Sequence, residues 1–267
     1  MPHASNGSIR IYYEESGKGD EVIVLIPGLG LTTLAWSGVT RALSEDFRVI
    51  AVDPRGAGQS DKPDIEYTGR LNADDMVAVL DAAGVESAHI VGMSMGGMIG
   101  QELALNHPSR VRSLVLASTY AATDSWSQRL FEVRKQMILE LGLLAQFKLS
   151  VMFVFSPYAF RRMENQVAAI ENSLTTKPPD KNAYVRQMTY CMTHDTRDRL
   201  KQIRVPTVVA TGHYDILTSP IQGRELAEGI PRAEYVEFPE ASHGLIFEEV
   251  ESFSKFVRDF VRRQART

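Results

Sequence analysis

Five near-continuous apolar runs constrain this chain more than any other feature: "EVIVLIPG", "FRVIAVD", "SAHIVGM", "VRSLVLAS" and "VPTVVATG". A strand packed on both faces shows no polar alternation, so such runs read as strands inside a parallel sheet. Helical patterns at 36–45, 68–83 and 95–107 each join one run to the next, the arrangement of right-handed β-α-β crossovers. The flanking segments agree. "SIRIYYEE" (8–15) alternates like a half-buried strand, "EYVEF" reads as a last strand, and 247–264 as a closing amphipathic helix. The fold class this implies is α/β, a mostly parallel doubly wound sheet.

Between about 119 and 200 the alternation stops. Strand signals vanish, Thr123 or Asp124 can cap a helix running to about 142, and Ser156-Pro157 has the form of an N-cap with proline at the first helical position. "KPPD" (177–180) breaks and restarts the helical pattern. The expected organisation is an α/β core, 1–118 and 201–267, interrupted by an all-helical insertion, 119–200.

Composition removes several classes of function. A net charge of −4 without long runs of one sign argues against a nucleic-acid partner. The single cysteine, Cys191, excludes an internal disulfide framework and reads as small apolar filling. No basic segment followed by an apolar stretch opens the chain, and no apolar run approaches the ~20 residues of a membrane span. A soluble, cytoplasmic protein acting on a small molecule, with no nucleic-acid or membrane partner, is expected.

The chemistry is expected where the third run ends. Gly92-Met93-Ser94-Met95-Gly96 fits G-x-S-x-G, and a buried strand leads into it while a helix leads out. A serine on so sharp a turn needs very small residues two positions before and after it, and its hydroxyl then stands above the carboxyl ends of the strands. Such a nucleophile needs a base and an orienting acid. Of six histidines, only His243 lies in a loop between the last strand and the last helix, where an imidazole returns to that edge. Asp215, just beyond "VPTVVATG", is the expected acid, with Glu240 as runner-up. Two N–H donors for an oxyanion are expected from Met95 and from Leu29 in "IPGLG". Asp53 and Arg55 in "DPRGAGQS" read as fixing a turn, since the dinucleotide pattern G-x-G-x-x-G is not met. No cofactor and no metal are called for.

"IPGLG", "DPRGAGQSDKP", "GMSMGGMIGQELALNHPSRVRSLVL", "IRVPTVVATGHYD" and "ASHGLIFE" resemble the α/β-hydrolase superfamily over nearly the whole chain. The first half is most similar to the branch holding esterases, 3-oxoadipate enol-lactonases, haloperoxidase-like hydrolases and carbon–carbon bond hydrolases. The resemblance implies a triad of Ser94, Asp215 and His243 and makes the insertion a lid. Family members often carry His-Gly where this chain has Pro27-Gly28, so no role of that histidine transfers, while the Leu29 N–H is unaffected. Dehalogenases and epoxide hydrolases carry an aspartate at the position of Ser94, which disfavours those activities. The expected activity is hydrolysis of a carboxylic ester or lactone. Carbon–carbon cleavage, peracid formation and a ligand receptor on a hydrolase scaffold are the alternatives. The lid's many aromatic and methionine side chains predict a largely apolar pocket. Trp126 in the lid and Trp36 opposite it are the expected substrate contacts, although Trp36 reads equally well as helix packing. The lid is mildly basic, with 11 Lys and Arg against 8 Asp and Glu over 119–200, as solvated helix faces would make it.

Overall fold

Eight strands form one sheet in the computed structural model, which describes residues 2–264; Met1 and 265–267, the ends of the expected core, lie outside the described residues. In chain order the strands are β1 (His3–Asn6), β2 (Ile9–Ser16), β3 (Val22–Ile26), β4 (Arg48–Val52), β5 (Ala88–Met93), β6 (Val111–Ala117), β7 (Thr207–Gly212) and β8 (Glu234–Phe238). They lie side by side as β1-β2-β4-β3-β5-β6-β7-β8, with β1 and β2 antiparallel to their neighbours and all later pairs parallel. The five apolar runs are the five central parallel strands. Their pleat sends alternate side chains to opposite faces, so Ile23 and Leu25 of β3 join one core while Val24 and Ile26 join the other.

Helices cover both faces. α1 (Ser37–Leu43) and α11 (Val250–Gln264) pack Val39, Leu43, Phe253 and Val257 onto one of them. Opposite lie α2 (Gly69–Ala82), α3 (Met95–Asn106) and α9 (Pro220–Gly229). The expected final helix at 247–264 is in fact two pieces, α10 (Leu245–Glu248) and α11, divided at Glu249, whose backbone leaves the helical region. The extreme N-terminus, in which the sequence showed no element, forms β1 and pairs with β2 as a hairpin. The dinucleotide-like turn after β4 is structural: Asp53 accepts the Thr33 and Gln59 N–H groups at 2.7 and 2.8 Å, and Arg55 forms a buried pair with Asp75 at 2.6 and 2.7 Å.

The insertion between β6 and β7 holds α4 (Ser125–Glu140), α5 (Leu143–Val154), α6 (Pro157–Arg162), α7 (Glu164–Thr176) and α8 (Lys181–Thr193). Its caps follow from the sequence. Asp124 accepts the Ser127 N–H at 2.7 Å, Ser156 accepts the Ala159 N–H at 3.1 Å ahead of Pro157, and Asp180 after the "KPP" break accepts the Ala183 N–H at 2.8 Å. Each such cap contributes about 1 kcal/mol by satisfying an N–H that the first helical turn leaves unpaired. Phe131, Ile138, Tyr184 and Met188 of α4 and α8 merge with the core, whereas Val151, Phe155, Ala159 and Val167 make a small core of their own.

Candidate active site

Ser94 sits between β5 and α3 with φ 55° and ψ −119°, a left-handed conformation that costs a non-glycine residue about 1–3 kcal/mol. The surrounding structure holds it there. The Ser94 N–H donates to the Ala117 carbonyl of β6 at 2.8 Å, and the Thr119 hydroxyl donates to the Ser94 carbonyl at 2.9 Å. The small neighbours are obligatory: a Cβ on Gly92 would stand 2.2 Å from the Gly96 carbonyl oxygen, and one on Gly96 would stand 2.0 Å from that of Ile26.

The parallel register pairs Ile26 of β3 with Gly92 of β5, so the residues two further on, Gly28 and Ser94, emerge side by side. A Cβ on Gly28 would lie 3.2 Å from the Ser94 Cβ. Leu29 therefore begins its turn directly beside the serine. As the first helical residue after it, Met95 has an N–H with no intrahelical acceptor. Neither Leu29 N–H nor Met95 N–H donates to a loop or turn carbonyl among the described residues. Gly30 N–H, by contrast, is held by the Gln187 side-chain oxygen at 2.9 Å, and the Gln187 amide donates to the Arg55 carbonyl at 2.8 Å.

Two strands away, the β7 and β8 loops meet. A Cβ on Gly212 would lie 2.2 Å from the Ser242 carbonyl oxygen, so glycine permits the contact. Asp215 is buried and accepts the Leu217 and Thr218 N–H groups on Oδ1 at 2.8 and 2.9 Å. Its Oδ2 accepts the Thr218 hydroxyl at 2.7 Å and lies 2.9 Å from Nδ1 of His243. With Nδ1 committed to the carboxylate, Nε2 is the nitrogen left for proton transfer. The His243 loop is itself anchored. Glu248 accepts the Ser242 and Ser156 N–H groups at 2.9 and 3.1 Å, and burial raises its carboxyl above the ordinary glutamate range.

Ser94, His243 and Leu29 all line one cavity between the sheet edge and the helical insertion, whose walls are mostly apolar, among them Phe131, Phe147 and Leu174. Among the described residues no hydrogen bond joins the Ser94 hydroxyl to the imidazole; in ligand-free enzymes such contacts are often long and tighten when substrate binds. Glu240 pairs with Arg162, whereas the carboxylate beside His243 is that of Asp215. Three other histidines are engaged elsewhere, His89 with Ser113, His107 with Asp74 and His213 with Glu237, while His194 is buried in the insertion away from this pair. Cys191 does border the cavity, but burial pushes its thiol up to about 12, far from a thiolate nucleophile.

The two expected substrate contacts need correction. Trp36 is fully buried and stacks on Phe253 with ring centroids 6.4 Å apart, because its side of the chain faces α11 and not the cleft. Trp126 is 55% exposed in α4, and its ring N–H donates to the Ile216 carbonyl of the loop after β7 at 2.9 Å. Neither lines the cavity. Thr218, Gln187 and Arg134 were invisible to sequence reasoning, since each takes its place through contacts that only the folded chain creates.

Known proteins place these features in a family. A family model described as the alpha/beta hydrolase fold matches residues 21–250. A relative from Azorhizobium caulinodans, named "Putative carbamate hydrolase RutD", is 34% identical over 97% of this chain and 98% of its own. The enol-lactonase from Burkholderia xenovorans superposes with a TM-score of 0.90 at 30% identity, covering 98% of this chain and 100% of that one. Est816, an N-acyl homoserine lactone degrading enzyme, superposes with a TM-score of 0.86 at 28% identity, covering 97% of this chain and 100% of its own. By its strand order, its helical insertion and these matches, this chain belongs to the α/β-hydrolase family.

Proposed function

We propose that this protein is a serine hydrolase of carboxylic esters or lactones that works through an acyl-enzyme. The observation that carries the proposal is the buried Asp215–His243 pair, 2.9 Å apart, whose His243 lines the same cavity as Ser94 on its left-handed turn. Ser94 Oγ attacks the substrate carbonyl while His243 Nε2 takes the hydroxyl proton, and Asp215 holds the imidazole and stabilises its cation. The carbonyl oxygen becomes an oxyanion and is received by the Leu29 and Met95 N–H groups. His243 then returns its proton to the leaving alcohol, activates a water against the acyl carbon, and Ser94 is released with the acid product.

Two neighbours in structure are lactone-cleaving enzymes by name, which supports an ester or lactone carbonyl as the reacting group. A carbamate, the substrate for which the Azorhizobium relative is named, presents its carbonyl to the same nucleophile and is the second reading. The apolar cavity walls favour an acyl or alcohol portion with a hydrocarbon body over a small polar carbamate. Steady-state kinetics on a panel of p-nitrophenyl esters, aliphatic lactones and N-alkyl carbamates tests this. Turnover of esters or lactones with kcat/KM well above that of carbamates is expected. Carbamates as the best substrates would replace the proposal by the second reading, and no turnover of any class would remove both.

A further inference from the structure

Arg134 lies in α4 with only 7% of its surface exposed, and it borders the same cavity as Ser94 and His243. Its polar neighbours are neutral. Nη2 donates to the Tyr184 hydroxyl at 3.1 Å. With the Gln146 amide turned so that its oxygen meets the donors around it, Nε and Nη2 also reach that oxygen at 3.0 and 3.1 Å. The Phe131 ring lies 5.4 Å from Cζ. Among the described residues no carboxylate stands within ion-pair distance of this guanidinium. Arg55 shows the contrast: it too is buried, but Asp75 neutralises it through two short hydrogen bonds.

An arginine stays charged when buried, and a buried charge without a counter-charge is costly. Neutral acceptors orient the guanidinium but leave a whole positive charge at the wall of an apolar cavity. The group that best matches a planar fork of N–H donors is a carboxylate, bound through parallel hydrogen bonds. We propose that Arg134 receives a carboxylate of the substrate, so that the ester or lactone cleaved here carries a free carboxylate separated from the scissile carbonyl by an apolar segment. This rests on the hydrolase reading above and adds the substrate class. The carboxylate can belong to the acyl part or to the leaving alcohol.

Two matched pairs of esters separate those cases: mono-p-nitrophenyl glutarate against p-nitrophenyl pentanoate, and 4-carboxyphenyl butyrate against phenyl butyrate. The wild-type protein is expected to prefer the charged member of at least one pair in kcat/KM. Arg134→Met should reduce that preference by about 10- to 100-fold, the worth of a charge-assisted pair, and Arg134→Lys, which keeps the charge but not the fork, by less. If the charged-to-neutral ratios of both variants stay within about threefold of wild type, or both members of each pair fall together, Arg134 only packs the lid and the inference is overturned. Binding gives a readout independent of turnover. Monomethyl glutarate should raise the Tm of Ser94→Ala protein, and the rise should disappear in the Ser94→Ala/Arg134→Met double variant. Arg134-dependent binding without turnover of any ester would sink the hydrolase reading and leave the carboxylate site. Ester turnover with Arg134-independent ratios and binding would do the reverse.

Discussion

One oxygen of Asp215 serves both the Thr218 hydroxyl and His243 Nδ1, while the other is filled by two backbone N–H groups. Asp215→Asn can keep its oxygen on those backbone donors, but its NH₂ then faces Nδ1 and forces the other imidazole tautomer. The expected outcome is a folded protein whose kcat on p-nitrophenyl butyrate falls by up to ~10⁴-fold. A loss of less than about tenfold would show that the pair does not serve catalysis. His194 gives a second test, on stability. Both of its ring nitrogens are buried without a partner, and burial lowers its pKa from 6.5 to about 4. The unfolded chain takes up this proton near pH 6.5 while the folded one resists it until about pH 4, so stability falls as pH drops through that window. The fall attributable to His194 is about 3 kcal/mol, complete at about pH 4 and absent above 6.5. Urea unfolding from about pH 7 to about pH 4 should show a shallower acid loss in His194→Phe than in wild type; parallel curves would contradict it.

At the level of elements, Gln187 ties the helical insertion to the turn after β3. Gln187 of α8 is buried, holds the Gly30 N–H one residue after Leu29, and donates to the Arg55 carbonyl in the turn after β4. Gln187→Ala would leave a buried donor and a buried acceptor unpaired, which costs about 1–3 kcal/mol for each group that water cannot reach. It should lower Tm, and by loosening the Leu29 donor it should lower kcat more than it raises KM. A variant with reduced Tm and unchanged kcat would make Gln187 a packing residue alone. The same junction explains why elements were easier to foresee than their docking. Capping signals at Asp124 and Ser156 are local and were legible, as was the break at "KPPD", whose Asp180 the structure adds as a cap. The hairpin strand β1 was not, because "HASN" carries no apolar alternation and its order comes from pairing with β2.

Across the whole molecule, the site follows from which strands are neighbours. The order β3-β5-β6-β7-β8 brings the Leu29 turn, Ser94, Asp215 and His243 to one edge of the sheet. That convergence was readable in sequence because Leu29, Ser94 and Asp215 each follow an apolar run, and His243 follows the last strand, "EYVEF", with directions that parallel crossovers fix. Gly92 and Gly96 were readable for the same reason: the turn's own backbone demands them. Trp36 was not, since the pattern of its segment shows an apolar side without showing whether α11 or the cleft lies against it. Arg134 was hidden too, because a basic residue on a helix reads as solvated until α5 and α8 close over it. The measurement that bears most directly on the central claim is mass spectrometry of the protein quenched during turnover of p-nitrophenyl butyrate. One butyryl group on the peptide containing Ser94, absent from Ser94→Ala, is the predicted result. Turnover with no acylated peptide, or acylation at another residue that survives Ser94→Ala, would contradict it.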